Sequence, residues 1–219
     1  MELTKAINER KSVRAYLDKP VDKATMEKVL TLATRAVSGH NFQPWEIAVV
    51  SGNVKNELGE ANVASFNAGE AGDADHLVSE EPYKERGKVI GKALFAAMEI
   101  GREDKEKRQA WSERGFRFFG APAVILLSID ETMDKDFVWL DLGCLVQNIC
   151  LAAKEYGLDT CVEYQAVNYF KNIRKYLALP ENKKPVVGIA IGYEDPSFPA
   201  NAVKSERASL EENTTWFGF

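Results

Sequence analysis

Hydrophobic positions along the chain switch between helical spacing and short continuous runs. After Asp22, a suitable helix cap, apolar residues recur at Met26, Val29, Leu30 and Ala33, which predicts an amphipathic helix. The stretches "EIAVVSG" and "PAVILLSI" are instead apolar without interruption and rich in β-branched residues, which indicates buried strands. Helices that alternate with such strands predict an α+β or α/β domain.

Later segments follow the same two patterns. Residues 137–158 are apolar nearly all round, which predicts a helix buried in the core or at a subunit interface. Residues 82–115 predict a continuous helical segment that is first apolar and then highly charged. Asn53 is placed to cap a further helix with Leu58 on its buried side. The stretches "TCVEY" and "PVVGIAIGY" predict two more strands.

The chain ends in three large aromatic residues, Trp216, Phe217 and Phe219. Burying one aromatic side chain removes ~150–250 Å² from water, so we expect this tail to dock on its own subunit or on a partner's. Residues 67–81 are rich in Gly and Asp, which predicts a mobile loop.

Composition narrows the class of protein. A chain of 219 residues with a net charge of −5 suits one globular domain and argues against nucleic acid as the main partner. Its three cysteines form no CxxC pair, which favours reduced core thiols and a cytoplasmic location. The two histidines, His40 and His76, lack ligand spacing, so no metal site is expected. No stretch suits a signal peptide or a membrane span.

Several common catalytic signatures are missing from the sequence. It contains no GxGxxG, no Walker loop, no GxSxG and no HExxH. This argues against the usual dinucleotide, nucleotide, serine-hydrolase and zinc-protease classes. What remains are three stretches in which cations, hydroxyls and amides are concentrated.

The first stretch, "ERKSVRAY", places Arg10, Lys11 and Arg14 around Ser12 in a chain that is acidic overall. Like charges at close range repel, so this group needs either plain solvent or an anion. Guanidinium forks and a hydroxyl match phosphate oxygens, and each hydrogen bond to a charged group contributes roughly 1.5–3 kcal/mol. The alternatives are therefore a phosphate site and a solvated basic turn.

The second stretch is "VSGHNFQPW", residues 37–45, between a helix end and a strand. Ser38 and Gly39 offer backbone donors, and Asn41 and Gln43 carry amides that suit the edge of a planar heterocycle. The alternative is an ordinary helix-to-strand connection.

The third stretch, "KSERASL", carries Lys204 and Arg207 three residues apart in an otherwise acidic tail. By itself this pair is also consistent with a solvated surface pair.

The order and spacing of these stretches resemble a known family. "RKSVRAYLDKPVDKATMEKVLTLATRAVSGHNFQPWEIAVV" closely resembles the opening of the bacterial FMN-dependent nitroreductases, and "PYKER" and "FRFFGAPAVILLSID" are similar to their nitrobenzoate-reductase-like branch. The resemblance covers nearly the whole chain. It implies an α+β fold, a three-layer α-β-α sandwich with a mainly antiparallel central sheet. It also implies an intertwined homodimer with FMN at the subunit interface.

The resemblance also implies roles for particular residues. The basic motif would hold the FMN phosphate and ribityl chain, with the late cations closing on the phosphate. The loop of the other subunit would border the flavin, and the strand around 161–164 would pass along its ring through the backbone. The implied FMN-binding residues are Arg10, Lys11, Ser12, Arg14, Ser38, Gly39, His40, Asn41, Gln43, Val162, Glu163, Tyr164, Lys204 and Arg207.

The resemblance further implies how the chain is organised. Residues 1–219 would form one FMN-binding domain. Within it, residues 67–117 would be an excursion of loop and helices over the active site. Residues 194–219 would be a tail that docks on the partner subunit.

The implied activity is a ping-pong reaction in which hydride passes from NADH or NADPH through flavin N5 to a nitroaromatic or quinone-type acceptor. No side chain would act as nucleophile, and Lys11 or Arg14 would stabilise the reduced flavin. The alternatives are a specialised FMN enzyme of the same fold such as a reductive dehalogenase, a non-enzymatic flavin-binding protein, or a basic module for an acidic partner. The sequence leaves open the physiological acceptor and the choice between NADH and NADPH.

The sequence departs from the family's pattern at two loop positions. Val37 stands where the family often has Pro, and His40 fills a position that is commonly small or polar. The histidine would either touch flavin or substrate, or shield the loop.

Overall fold

The computed structural model describes residues 1–74, 80–133 and 135–219. Four strands form one sheet in the order β1-β2-β4-β3, and every neighbouring pair is antiparallel. The predicted α+β class with a mainly antiparallel sheet is therefore confirmed. The strands are β1 (Glu46–Ser51), β2 (Ala123–Asp130), β3 (Asp159–Glu163) and β4 (Lys183–Gly192).

Eight α-helices surround this sheet within the described ranges. They are α1 (Leu3–Glu9), α2 (Lys23–Ala33), α3 (Gly52–Asn67), α4 (Tyr83–Ala97), α5 (Lys105–Phe116), α6 (Lys135–Glu155), α7 (Phe170–Leu177) and α8 (Leu210–Asn213).

The central strand β2 is apolar without interruption because both of its faces are buried. Ile125 and Leu127 point into a core built with α2 and α6, whereas Val124 and Leu126 point into a second core with residues of α3 and α7. Alternate residues of a strand face opposite sides of the sheet, so one strand serves both cores. The result is a helical layer on each face of the sheet.

Helix ends follow local capping chemistry, with two corrections to the sequence reading. Asp22 caps α2 as predicted, since its carboxylate accepts the Thr25 N–H at 2.8 Å. Asn53 is no cap, because α3 already begins at Gly52 after Ser51. The continuous helix predicted over 82–115 is wrong.

Two helices, α4 and α5, replace the continuous helix. The chain leaves helical geometry at Glu99, whose φ is +52°. It re-enters at Asp104, whose carboxylate accepts the Lys107 N–H at 3.1 Å. Because Asp favours caps over helix interiors, the charged stretch contains its own helix start.

The segment after α1 is extended and runs beside the sheet. The Val13 N–H donates to the Thr160 carbonyl at 3.0 Å, and the Leu17 N–H donates to the Tyr193 carbonyl at 2.9 Å. These bonds place the basic motif against β3 and the end of β4.

The aromatic tail does not dock on its own chain. Trp216 is 62% exposed, Phe217 83% and Phe219 100%. The expectation of docking on the same subunit is therefore wrong, and docking on a partner stays a prediction.

Part of the predicted loop 67–81 lies outside the described residues, namely 75–79. The preceding stretch is held, because Asp73 receives the Phe170 N–H at 2.8 Å and donates its own N–H to the Asn168 carbonyl.

Candidate functional site

A cavity of about 490 Å³ collects basic residues from both ends of the chain. Its lining includes Arg10, Lys11, Lys204 and Arg207, together with Gln147 from α6. Two of the three stretches singled out in the sequence thus meet at one place, although about 190 residues separate them. We call this the cation cavity.

Most of the positive charge in the cation cavity is not neutralised by the chain itself. Among the residues that the structure describes, no carboxylate lies within ion-pair distance of Arg10, Lys204 or Arg207. Lys11 is different, because its Nζ lies 2.7 Å from Glu194 Oε1 and donates to the Asn201 carbonyl at 2.7 Å. The cavity therefore favours an anion that accepts from several directions.

Asn201 holds the basic motif in place and was missed in the sequence. Its Oδ1 accepts the Arg14 N–H at 2.7 Å, and its Nδ2 donates to the carbonyls of Ala15 and Asp195 at 2.9 Å each. The side chain is buried at 1% exposure. Nothing in the sequence marks this Asn, since its partners Arg14 and Ala15 lie almost the whole chain away.

Ser12 and Arg14 lie beside β3 and outside the lining of the cation cavity. Ser12 forms a bridge with Thr160, and the Arg14 guanidinium donates to the Ser12 carbonyl at 3.1 Å. Neither residue lines the cavity. The structure therefore brings Arg10 and Lys11 to the cavity wall and turns Arg14 towards β3.

Strand β3 presents two different faces. Val162 is 38% exposed and Tyr164, just after the strand, is 50% exposed, whereas Cys161 and Glu163 are buried. Both carboxylate oxygens of Glu163 are buried without a hydrogen-bond partner in the described structure. Alternation along the strand thus offers Val162 and Tyr164 to a ligand and turns Glu163 inward.

The inward groups of β3 have perturbed acidities. Burial raises the pKa of Glu163 well above its usual range, and the Arg14 charge opposes this shift. Burial also raises the pKa of the Cys161 thiol to about 12, with the Glu163 carboxyl acting in the same direction. Burial without a hydrogen-bond partner therefore favours the uncharged form of the Glu163 carboxyl.

The loop 37–43 is exposed and has unusual backbone geometry. His40, Asn41 and Gln43 have φ values of +49°, +60° and +49°. The left-handed region costs a non-glycine residue roughly 1–2 kcal/mol, and such strain concentrates at functional sites. The structure does not bring this loop to the cation cavity of its own chain.

Several hydrogen bonds hold the loop's shape, and two of them involve the side chains of Ser38 and Asp141. Ser38 Oγ accepts the Gln43 N–H at 3.1 Å, and the Gly39 N–H donates to the Asp141 carboxylate of α6 at 3.1 Å. The loop is thereby fixed in the strained form and tied to α6, with its polar groups facing outward.

An apolar groove of about 550 Å³ runs along α6 beside this loop. Its lining includes Val37, Trp139, Leu140, Cys144 and Gln147. Gln147 lines both this groove and the cation cavity, so the two are neighbours.

Comparisons with known proteins agree with this architecture. The family model described as "Nitroreductase family" matches residues 7–193. A nitrobenzene nitroreductase of Ectopseudomonas oleovorans is 34% identical over 96% of this chain and 94% of its own. A 4-nitrobenzoate reductase of Pseudomonas putida is 30% identical over 96% of this chain and 93% of its own.

A solved structure gives the same result in three dimensions. The FMN and NADPH-dependent nitroreductase NfnB from Sphigopyxis sp. strain HMH superposes with a TM-score of 0.95 at 32% identity, covering 100% of both chains. The chain belongs to the nitroreductase family.

Proposed function

We propose that this protein is an FMN-dependent oxidoreductase that reduces nitroaromatic or quinone-type acceptors with NAD(P)H. The observation that carries the proposal is the cation cavity, which lies beside an exposed apolar face in a nitroreductase-family fold. Relatives named for nitrobenzene and 4-nitrobenzoate reduction support a nitroaromatic acceptor, and a solved structure named for FMN and NADPH supports these two cofactors.

The residues present fit an FMN phosphate. Arg10, Lys204 and Arg207 supply forked and point donors around one cavity. The carboxylate of Glu9, which also lines the cavity, pairs with Lys5 at 3.8 Å. The volume of about 490 Å³ lies within the ~300–1,000 Å³ typical of small-molecule sites. Lys11 and Ser12 act mainly by holding the motif against Asn201 and β3.

We propose that Val162 and Tyr164 border the ring system, because they are the exposed side chains in and directly after β3, the strand that pairs with the basic motif. FMN supplies the redox chemistry when bound, taking hydride from a reduced nicotinamide and passing it to the acceptor. The residues of the chain itself bind, orient and shield the cofactor. No side chain is assigned as a nucleophile.

The same proposal includes a homodimer. Exposed apolar side chains cluster on and beside α6, at Val37, Phe42, Phe137 and Leu140, with exposures of 67–72%. A contiguous apolar face of this kind marks an interaction site. A second copy that covers it would bring the other subunit's loop, with Ser38, Gly39, His40, Asn41 and Gln43, to the cofactor.

The remaining parts of the organisation are proposals as well. The 194–219 tail would dock its exposed aromatics on the partner, and the 67–117 excursion would cover the active site. The three cysteines are unpaired, which fits a reducing, cytoplasmic environment.

The visible spectrum of the purified protein tests this function. We expect a yellow protein that releases FMN on denaturation and bleaches when NADH or NADPH is added without oxygen. Reoxidation by 4-nitrobenzoate or a quinone should follow. A yellow protein that neither nucleotide bleaches would favour a flavin-binding protein without this activity. A colourless protein that FMN cannot reconstitute would overturn the proposal.

A further inference from the structure

A second basic cavity, of about 570 Å³, lies on the hairpin formed by α4 and α5. We propose that this hairpin cavity binds the 2′-phosphorylated adenosine end of NADPH and so selects NADPH over NADH. The inference rests on the proposed function, because it names where the electron donor of that reaction docks.

The charge of the hairpin cavity fits a phosphate. Lys88, Lys92, Arg102 and Arg108 line it, and no acidic residue does. Lys88 is partly offset by Glu81 and Glu85. Lys92 and Arg102 have no carboxylate within ion-pair distance in the part of the chain that the structure describes. In a protein of net charge −5, an unpaired basic group of this kind favours an anionic ligand.

The floor of the hairpin cavity fits an adenine ring. Phe95, Ala96 and Ile100 supply apolar surface. The Arg108 guanidinium lies 4.5 Å from the centroid of the Phe95 ring, and its Nε donates to the Gly101 carbonyl at 2.9 Å. A fixed arginine on an aromatic ring offers a flat stacking surface with a charged edge. Apolar floor and cationic rim together match an aromatic base that carries phosphate.

The hairpin cavity is connected to the basic motif through both helices. On α5, Arg114 donates to the Arg14 carbonyl at 3.1 Å. Arg108 is six residues earlier on the same helix, which is about 9 Å along its axis. Helix α4 contacts the turn Pro199–Ala202, which contains Asn201. These contacts connect the hairpin that carries the cavity to the segments that hold the basic motif.

Binding of adenosine phosphates tests the site without turnover. We expect the FMN-loaded protein to bind 2′,5′-ADP at least tenfold more tightly than 5′-AMP in calorimetric titration. The double variant K92A/R102A should lose this preference. The matched control K84A/K105A removes two exposed lysines from the same helices outside the cavity and should keep it.

Anaerobic stopped-flow reduction gives the second readout. For K92A/R102A we expect the concentration of NADPH at half-maximal rate to rise at least tenfold, which corresponds to about 1.4 kcal/mol. The value for NADH and both limiting rates should stay within about twofold of wild type.

Two results would overturn the inference. One is equal binding of 2′,5′-ADP and 5′-AMP to the wild type, and the other is an equal loss for NADH and NADPH in K92A/R102A. Either can occur while both nucleotides still reduce the flavin. Failure of flavin reduction by both nucleotides in the wild type would instead contradict the proposed function.

Discussion

The basic motif, residues 10–14, and the loop 37–43 are held in different ways. The motif is anchored within its own chain, since Asn201 binds Arg14 and Lys11 and β3 receives Val13. The loop is fixed by only a few contacts and keeps three non-glycine residues at positive φ while its polar groups face outward. The polar groups of the motif are bound within the chain, whereas those of the loop remain exposed.

This difference separates two kinds of binding element. The contacts that anchor the basic motif fix the positions of its charged side chains, so a phosphate site can form within one chain. A strained and exposed loop is stable only because surrounding contacts determine it, and such strain is typical of functional segments. We therefore expect the motif to control cofactor affinity and the loop to act only when a second copy is present.

The largest expected effect comes from the cation cavity. The double variant R10A/R207A should lower FMN affinity at least about 100-fold, because two charged donors of the cavity at roughly 1.5–3 kcal/mol each are lost. Quenching of FMN fluorescence by the apoprotein measures this. The variant K23A/K28A, with two exposed lysines removed from α2, controls for net charge. Unchanged FMN affinity in R10A/R207A would contradict the phosphate assignment.

A charged residue on the apolar face beside α6 should disrupt the proposed dimer, in which the loop would meet a second copy. Leu140 is 68% exposed in the single chain, so L140D should fold normally yet raise the dimer dissociation constant at least about 100-fold. Sedimentation at micromolar concentration gives the oligomeric state. V54D, at a 43% exposed position on α3, is the control. A wild type that sediments as a monomer would sink the dimer proposal.

Removing the anchor of the basic motif should destabilise the fold. N201A leaves the Arg14 N–H and the carbonyls of Ala15 and Asp195 without their partner, at a cost of about 2–4 kcal/mol in the free energy of unfolding. Urea denaturation measures it. N182A loses only a surface bond to Asp130 and should cost about 0.5–1 kcal/mol. Equal losses in both variants would show that Asn201 is no special anchor.

The smallest expected effect on stability comes from the buried carboxyl of Glu163, and this effect depends on pH. Because the pKa of Glu163 is raised in the folded state, the unfolded chain releases this proton first as pH rises above about 4.3. As pH rises from about 4.3 towards the raised pKa of Glu163, the free energy of unfolding of wild type should therefore fall relative to that of E163Q. Below about pH 4.3 the difference between the two proteins should be smallest. Thermal unfolding from pH 4 to 8 follows this.

The exposed variant E57Q controls for the loss of one charge. A stability difference between wild type and E163Q that does not change with pH would contradict the neutral state of Glu163.

Much of the fold was predictable because its signals are local. Apolar runs predicted the four strands, and Asp22 predicted the start of α2. The break between α4 and α5 was missed because a charged helix face and an internal cap look alike in sequence. The aromatic tail is predicted to pack on its own subunit or on a partner's, and its three aromatic side chains are exposed in the single chain.

The candidate site was predictable only as separate pieces. Arg10, Lys11, Lys204 and Arg207 were each visible as unusual cations, and the family resemblance joined them. Asn201 and Gln147 were not visible, since a buried amide and a helix-face amide carry no local pattern.

The sequence by itself determined which segments are buried, where charge is concentrated and which residues can bind a phosphate, because these follow from periodicity and side-chain chemistry. Only the tertiary structure decided that cations about 190 residues apart share one cavity, that Glu163 turns inward and that the hairpin carries a second basic cavity. Those facts depend on strand pairing, helix packing and the direction of each side chain. The separation of these residues along the chain does not determine any of the three.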